Sequence, residues 1–243
     1  MEEMIDNYSF DTIEQKTAAK HFFAKVYAFM FGALLITGAI AYQYGTLEFA
    51  LTYFYKVDPK GSASPTGLFY LVAFAPVGVA FLLQGMAHRL SFAAMFGLFA
   101  VYSVLLGFAL STIFIVYTDT SILSVFGITA GTFAIMAIMG FITPIDLTKF
   151  GSILMMAFWG IFLASIVNFF LESEMMDYVI SIIGVLVFTG LTAYHMQQLK
   201  KMAYDAQIDT ATKNKLALLG GFTLYVLFVN LFLSLLRLFG DRE

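Results

Sequence analysis

Two stretches decide how this chain is read: LTAYHMQQLKKM, Leu191–Met202, and LYVLFVNLFLSLLRLFG, Leu224–Gly240. The second is a continuous apolar run broken only by Asn230, Ser234 and Arg237. About 20 such residues cross the hydrocarbon core of a bilayer as a helix. The first closes a similar run and carries His195 among polar neighbours. Together they place a histidine and a thin polar stripe on the last two of several membrane-spanning helices.

The rest of the chain fits this reading. Mean hydropathy is +0.86, and charged residues make up 12% of the sequence, about half the share in a soluble domain. Long uncharged runs recur throughout. Strands of a membrane barrel would alternate with a period of two over about ten residues; these runs are continuous, so helices are expected. The chain has no cysteine, which removes disulfides, thiolate-bound zinc and a thiol nucleophile. Net charge is −3, with no basic patch apart from the lysines around one loop, which speaks against nucleic acid as a partner. The N-terminus opens with Glu2, Glu3 and Asp6, and the first apolar run exceeds the hydrophobic region of a signal peptide. It is expected to stay in the membrane.

Seven spans are expected: Phe22–Tyr44, Gly67–Ala87, Phe92–Tyr117, Ile122–Ile142, Gly151–Leu171, Tyr178–Gln197 and Leu216–Leu238. Residues 1–21 form a cytoplasmic tail and 22–240 a single all-α seven-helix domain. Loops are short except Gly45–Thr66 and Gln198–Lys215. No internal repeat is visible. With the N-terminus in the cytoplasm, the inner segments hold Lys16, Lys20, Lys25, Arg89, Lys149, Lys200, Lys201, Lys213 and Lys215, and the outer ones Lys56, Lys60, Arg237 and Arg242. That bias follows the positive-inside rule. Seven spans put the C-terminus outside; a re-entrant last run would put both ends inside. Small residues spaced by four, Ser103, Gly107 and Ser111 on span three and Gly127 and Gly131 on span four, predict close helix packing.

Polar side chains at membrane depth are few: Gln84, Asn168, His195 and Asn230, with Arg237 near an end. All sixteen acids lie in tails, loops or span ends. Leu227, Asn230, Ser234 and Arg237 share one face of span seven; Ser181, Phe188, Thr192 and His195 share one of span six. Ser165 and Asn168 join them from span five. Two readings stand side by side. These groups hydrogen-bond one another and fix the bundle, or they line a hydrated interior gated by protonation of His195, the side-chain type that changes charge near neutral pH. Arg237 is an interfacial anchor or a partner for Glu172, Glu174 or Asp177.

Several long, collinear segments resemble the Bax inhibitor motif family (transmembrane Bax inhibitor motif proteins), and bacterial members most. They are GLTAY with the following Gln-x-Leu-Lys in Gly190–Lys200, the run Leu224–Gly240, ALSTIFIVYT at Ala109–Thr118, GFITPIDLTKFG at Gly140–Gly151 and GIFLASIVNFFL at Gly160–Leu171. The resemblance extends from about Lys20 to Gly240. It implies a seven-helix bundle with the last helix central and a pH-sensitive leak of calcium or other cations. It also implies suppression of cell death in eukaryotes, and modulation of a membrane-bound AAA protease in bacteria. The family's leak is attributed to two aspartates on the last two long helices that share a proton. At the matching positions this chain has His195, in Ala193-Tyr194-His195-Met196-Gln197, and Leu227, in Leu224-Tyr225-Val226-Leu227-Phe228-Val229-Asn230. Neither carboxylate is present, so the like-charge repulsion that raises one pKa of such a pair has no source here.

The expectation is therefore a multi-pass bacterial inner-membrane protein with its N-terminus in the cytoplasm. As a leak, it uses His195 as pH sensor, Leu227 as constriction, and Asn168, Asn230, Thr192 and Ser234 as lining. The alternative is a non-conducting interaction protein that modulates a membrane-bound AAA protease or a stress response. Serine-hydrolase, phosphate-loop and zinc-protease motifs are missing. His21, His88 and His195 lack the helical spacing of zinc ligands. No enzyme activity, cofactor or metal is expected.

Overall fold

The structure is a computed structural model. It describes residues 2–58 and 63–242, with side chains at residue 13 and from residue 15 onward. Lys60 and the side chains of Glu2, Glu3 and Asp6 lie outside the described residues.

Helix α1 runs from Glu2 to Tyr44 and so takes in the segment expected as a tail. A short helix α2, Leu47–Phe49, leads through a π-turn at Ala50–Phe54 to the hairpin of β1, Tyr55–Val57, and β2, Ala63–Pro65. Tyr55 pairs with Pro65, and Val57 with Ala63. Then follow α3 (Gly67–Gly85), α4 (Phe92–Leu110), α5 (Ile113–Val116), α6 (Asp119–Ile142), α7 (Thr148–Leu171), α8 (Glu174–Tyr204) and α9 (Thr210–Phe239). Among the described residues, seven helical segments are long and apolar enough to cross a membrane. The third joins α4 and α5 through a bend at Ser111 and Thr112. Large apolar side chains face outward on them, Leu35, Leu123, Met156 and Phe170 among the most exposed. In water such surfaces would drive aggregation; in lipid they are the ordinary exterior. The chain is an all-α integral membrane protein.

Two expected boundaries are corrected. The inner loop Gln198–Lys215 is helical at both ends, and residues 205–209 alone connect α8 to α9. The apolar face outlasts the apolar run: Leu199 and Ala203 are still buried, while Lys200 and Lys201 sit between them with their charges directed elsewhere. Likewise α9 is an unbroken helix of 30 residues, about 45 Å at 1.5 Å per residue, with no turn-back inside it.

The chain divides into two compact units. In the unit Met30–Ser124, with the C-terminal residues from Gly240, the second half of α1 packs on α4. Thr37 donates to the Ser103 carbonyl at 2.9 Å, and Gly107 lies against Ile40 and the Thr37 carbonyl. Ser103, Gly107 and Ser111 are all buried, as their spacing predicts. Tyr44, Phe49 and Phe108 stack behind the hairpin. Arg242 pairs with Tyr117 in an isolated bridge, and the Asp241 N–H donates to Ser121 at 2.9 Å.

The unit up to Phe29 with Val125–Phe239 holds α6 to α9 and the start of α1. Here the expected glycine pair fails. Gly127 and Gly131 are exposed with nothing near the position of a side chain. Other glycines make the close approaches. Gly140 meets the Ala193 backbone, Gly151 the Tyr194 ring, Gly190 Leu154, Gly184 Ser234 and Gly220 Leu199. All five contacts involve α8, which is gripped by α6, α7 and α9. Phe228 of α9 packs on Phe126 and Phe133 of α6.

Candidate functional site

The seam between α8 and α9 carries His195 and Leu227. Gly184 meets Ser234 near one end of it and Leu199 meets Gly220 near the other, so the helices run antiparallel. His195 lies eleven residues beyond Gly184 and four before Leu199, close to whole turns of 3.6 residues in each direction. It therefore shares their face. Leu227 lies seven residues from both Ser234 and Gly220 and shares theirs. Measured along the seam, the two positions are about one helical turn apart. By helical periodicity, the two positions that the family resemblance pairs fall on the facing sides of α8 and α9.

Leu227 is buried at 4% exposure, among Leu224, Phe228 and Leu231, also buried. His195 is half-buried. Its ring meets the Tyr194 ring edge-on, with centroids 5.1 Å apart, and among the described residues no hydrogen bond reaches its nitrogens. Its polar neighbours are placed differently. Thr192 donates to the Phe188 carbonyl at 2.7 Å, Ser234 to Asn230 O at 2.8 Å and Asn230 to Val226 O at 2.8 Å. Each bonds the carbonyl one turn back on its own helix, which satisfies a polar group in an apolar setting without a partner helix.

Asn168 is elsewhere. Its amide donates to Ser173 O at 3.2 Å and to Asp177 Oδ1 at 2.8 Å, and its oxygen accepts from the Ser173 N–H. It ties the α7–α8 turn, where Glu172 takes a left-handed backbone at φ 50°. The sequence pattern that puts Asn168 with the seam residues does not hold in the structure, because a nearer set of turn groups occupies its amide. Arg237 is exposed, and Asp177 engages Asn168. Among the described residues no ion pair joins Arg237 to Glu172, Glu174 or Asp177.

A second polar assembly was not foreseen. Gln197, buried at 6% exposure, accepts from the Leu147 N–H at 2.8 Å and donates to the Ile145 carbonyl at 2.7 Å. Lys200 donates to Phe141 O at 2.8 Å and lies over the Phe141 ring, as a cation does at a helix C-terminus with open carbonyls. Lys201 pairs with Asp146 at 3.2 Å. Consecutive turns of α8 therefore clamp the α6–α7 connection. The signal was present: a Gln and two Lys where an apolar run ends, beside ITPIDLT at Ile142–Thr148.

Seven helices long and apolar enough to cross a membrane, with glycine-tight packing around α8, define the class of the protein. Sequence comparison gives the family. The profile described as "Inhibitor of apoptosis-promoting Bax1" (Bax1-I) matches residues 19–243, and the chain belongs to that family. It is 39% identical to "Inner membrane protein YbhL" of Escherichia coli K12, over 95% of this chain and 96% of that protein. It is 41% identical to an uncharacterized protein of Borreliella burgdorferi, over 91% and 92%. A Rickettsia prowazekii protein, RP147, is 36% identical over 92% and 91%.

Proposed function

We propose that this protein is a cation leak of the bacterial inner membrane, calcium being one permeant ion, whose opening follows the protonation of His195. The observation that carries the reading is the state of the seam. His195 is an ionisable side chain at mid-seam with no hydrogen bond among the described residues, while Thr192, Asn230 and Ser234 bond carbonyls of their own helices. A charge on this half-buried imidazole draws water or a counter-ion to the seam, and admitting them parts it. Leu227 is the constriction that parts. Asn230, Thr192 and Ser234 then become lining, and Asn168 stands at the α7–α8 end. The burial of α9, fully buried at Leu218, Phe222, Leu224, Tyr225 and Leu231, supports a central last helix. The Escherichia coli relative's name and the lysine bias support an inner-membrane location with the N-terminus in the cytoplasm. This role assigns no catalytic chemistry to the chain.

A second reading has its own support. The seam has no carboxylate, and three of its polar groups already have partners, as suits a non-conducting protein that binds a membrane-bound AAA protease or acts in a stress response. Its contact surfaces are the residues around 205–209 and the N-terminal segment.

Calcium and potassium flux into proteoliposomes between pH 6 and pH 8 tests the choice. Flux in the wild type that loses its pH response in His195→Gln supports the leak. Flux seen only in a His195→Asp, Leu227→Asp double variant would overturn it and leave the partner role, which cross-linking at native expression then checks.

A further inference from the structure

A groove of about 350 Å³ opens on the unit that holds α6 to α9. Its walls are Phe23 and Tyr27 of α1, Ala137 and Phe141 of α6, and Met196 of α8. The Tyr27 hydroxyl turns inward to the Met196 sulfur at 3.8 Å, so little polar surface faces the space. Cations gather at one end. Lys20 lines the groove and is exposed. Lys16 is exposed one turn earlier, on the same face of α1. The Lys200 ammonium lies 4.9 Å from the centre of the Phe141 ring. Tyr204 adds a phenol to the same lining. Asp205, next to Tyr204, accepts the Gln207 N–H and serves its own turn.

An apolar slot between membrane helices, with ammonium groups at its end, matches an amphiphile with a negative head. Water gains nothing from the apolar walls, and a free anion would use only the mouth. We propose that this groove is a binding site for an anionic phospholipid, one acyl chain lying against Phe23, Ala137 and Phe141 and the phosphate held by Lys20 with Lys16 and Tyr204. Basic pockets between membrane helices recognise anionic headgroups in this way. Occupancy would bridge α1, α6 and α8 at Met196, the residue next to His195.

Native mass spectrometry of the full chain in detergent tests the site, with phosphatidylglycerol, phosphatidylcholine of matched chains and glycerol phosphate as probes. The expected result is one phosphatidylglycerol retained per chain, favoured over phosphatidylcholine on the order of fivefold, the effect of one lysine at a membrane surface. Lys20→Gln should lower that preference severalfold, and Lys16→Gln, Lys20→Gln together should abolish it, both leaving chain binding. Ala137→Leu should lower retention of both lipids. Ile138→Trp, at the exposed rim, serves the same purpose if the buried substitution prevents folding. Equal retention of both lipids by the wild type, or wild-type retention by the Lys20 and groove-filling variants, would overturn the site. Complete displacement by glycerol phosphate would also do so, since the ligand would then be a small anion.

Discussion

Gly140 on α6 lies against the backbone of Ala193 on α8, and no side-chain carbon fits between them. Backbone cannot yield as a flexible side chain can. Gly140→Ala should therefore force α6 away from α8, at a cost of about 1–3 kcal/mol for overpacking, and lower the thermal midpoint in detergent. Gly127→Ala and Gly131→Ala add a methyl to open space and should raise stability by up to about 1 kcal/mol through helix propensity. If all three behave alike, the packing of α6 on α8 is not as described.

The contrast among these glycines shows what was legible. Span number follows from continuous apolar runs, a property of single segments. Which glycine packs depends on where a neighbouring helix arrives, so spacing by four finds Gly107 but also picks Gly127 and Gly131, while Gly140 and Gly151 carry no such mark. The ends of α8 and α9 were hidden for a related reason. Lys200 is held by the Phe141 carbonyl, a contact 59 residues away in sequence, and hydropathy reads it as the end of a span. His195 and Leu227 were legible as paired positions through family resemblance, but the use of Asn168 by its own turn was not.

Gln197 supports the α6–α7 connection through both ends of its amide. Gln197→Ala should leave the Leu147 N–H and the Ile145 carbonyl to water, at a cost of about 0.5–1.5 kcal/mol for each hydrogen bond lost. The predicted signature is local: amide exchange at Leu147 rises well above any change along α9. Gln197→Glu keeps the acceptor and loses the donor, so it should protect Leu147 while freeing Ile145.

Asp146 gives this connection an acid response. Its carboxyl is lowered from 3.8 to about 2, first by the hydroxyl and N–H of Thr148 and then by Lys201. A depressed carboxylate pKa contributes stability above the unfolded value that is lost as pH falls through the folded one. The contribution is therefore complete above about pH 4 and disappears toward pH 2. Carboxyl titration by NMR should show Thr148→Ala raising this pKa more than Lys201→Gln does. The reverse order would make the ion pair the main cause. Asp146→Asn should flatten the dependence across that interval.

The α7–α8 turn offers two opposed substitutions. Asn168→Ala removes three hydrogen bonds to Ser173 and Asp177 and should destabilise by about 1–3 kcal/mol. Asn230→Ala removes one bond within its own helix and should cost less. Glu172 holds a left-handed backbone that strains any residue with a Cβ by about 1–2 kcal/mol. Glu172→Gly should relieve part of that strain, and the Asn168 contacts, which fix the turn in the folded state, keep it ordered. The double variant Asn168→Ala, Glu172→Gly tests the link. Without the amide to hold the turn, glycine's freedom should no longer help, and the gain seen in the single variant should shrink or vanish in thermal unfolding. A gain that persists in full would mean the turn keeps its shape without Asn168.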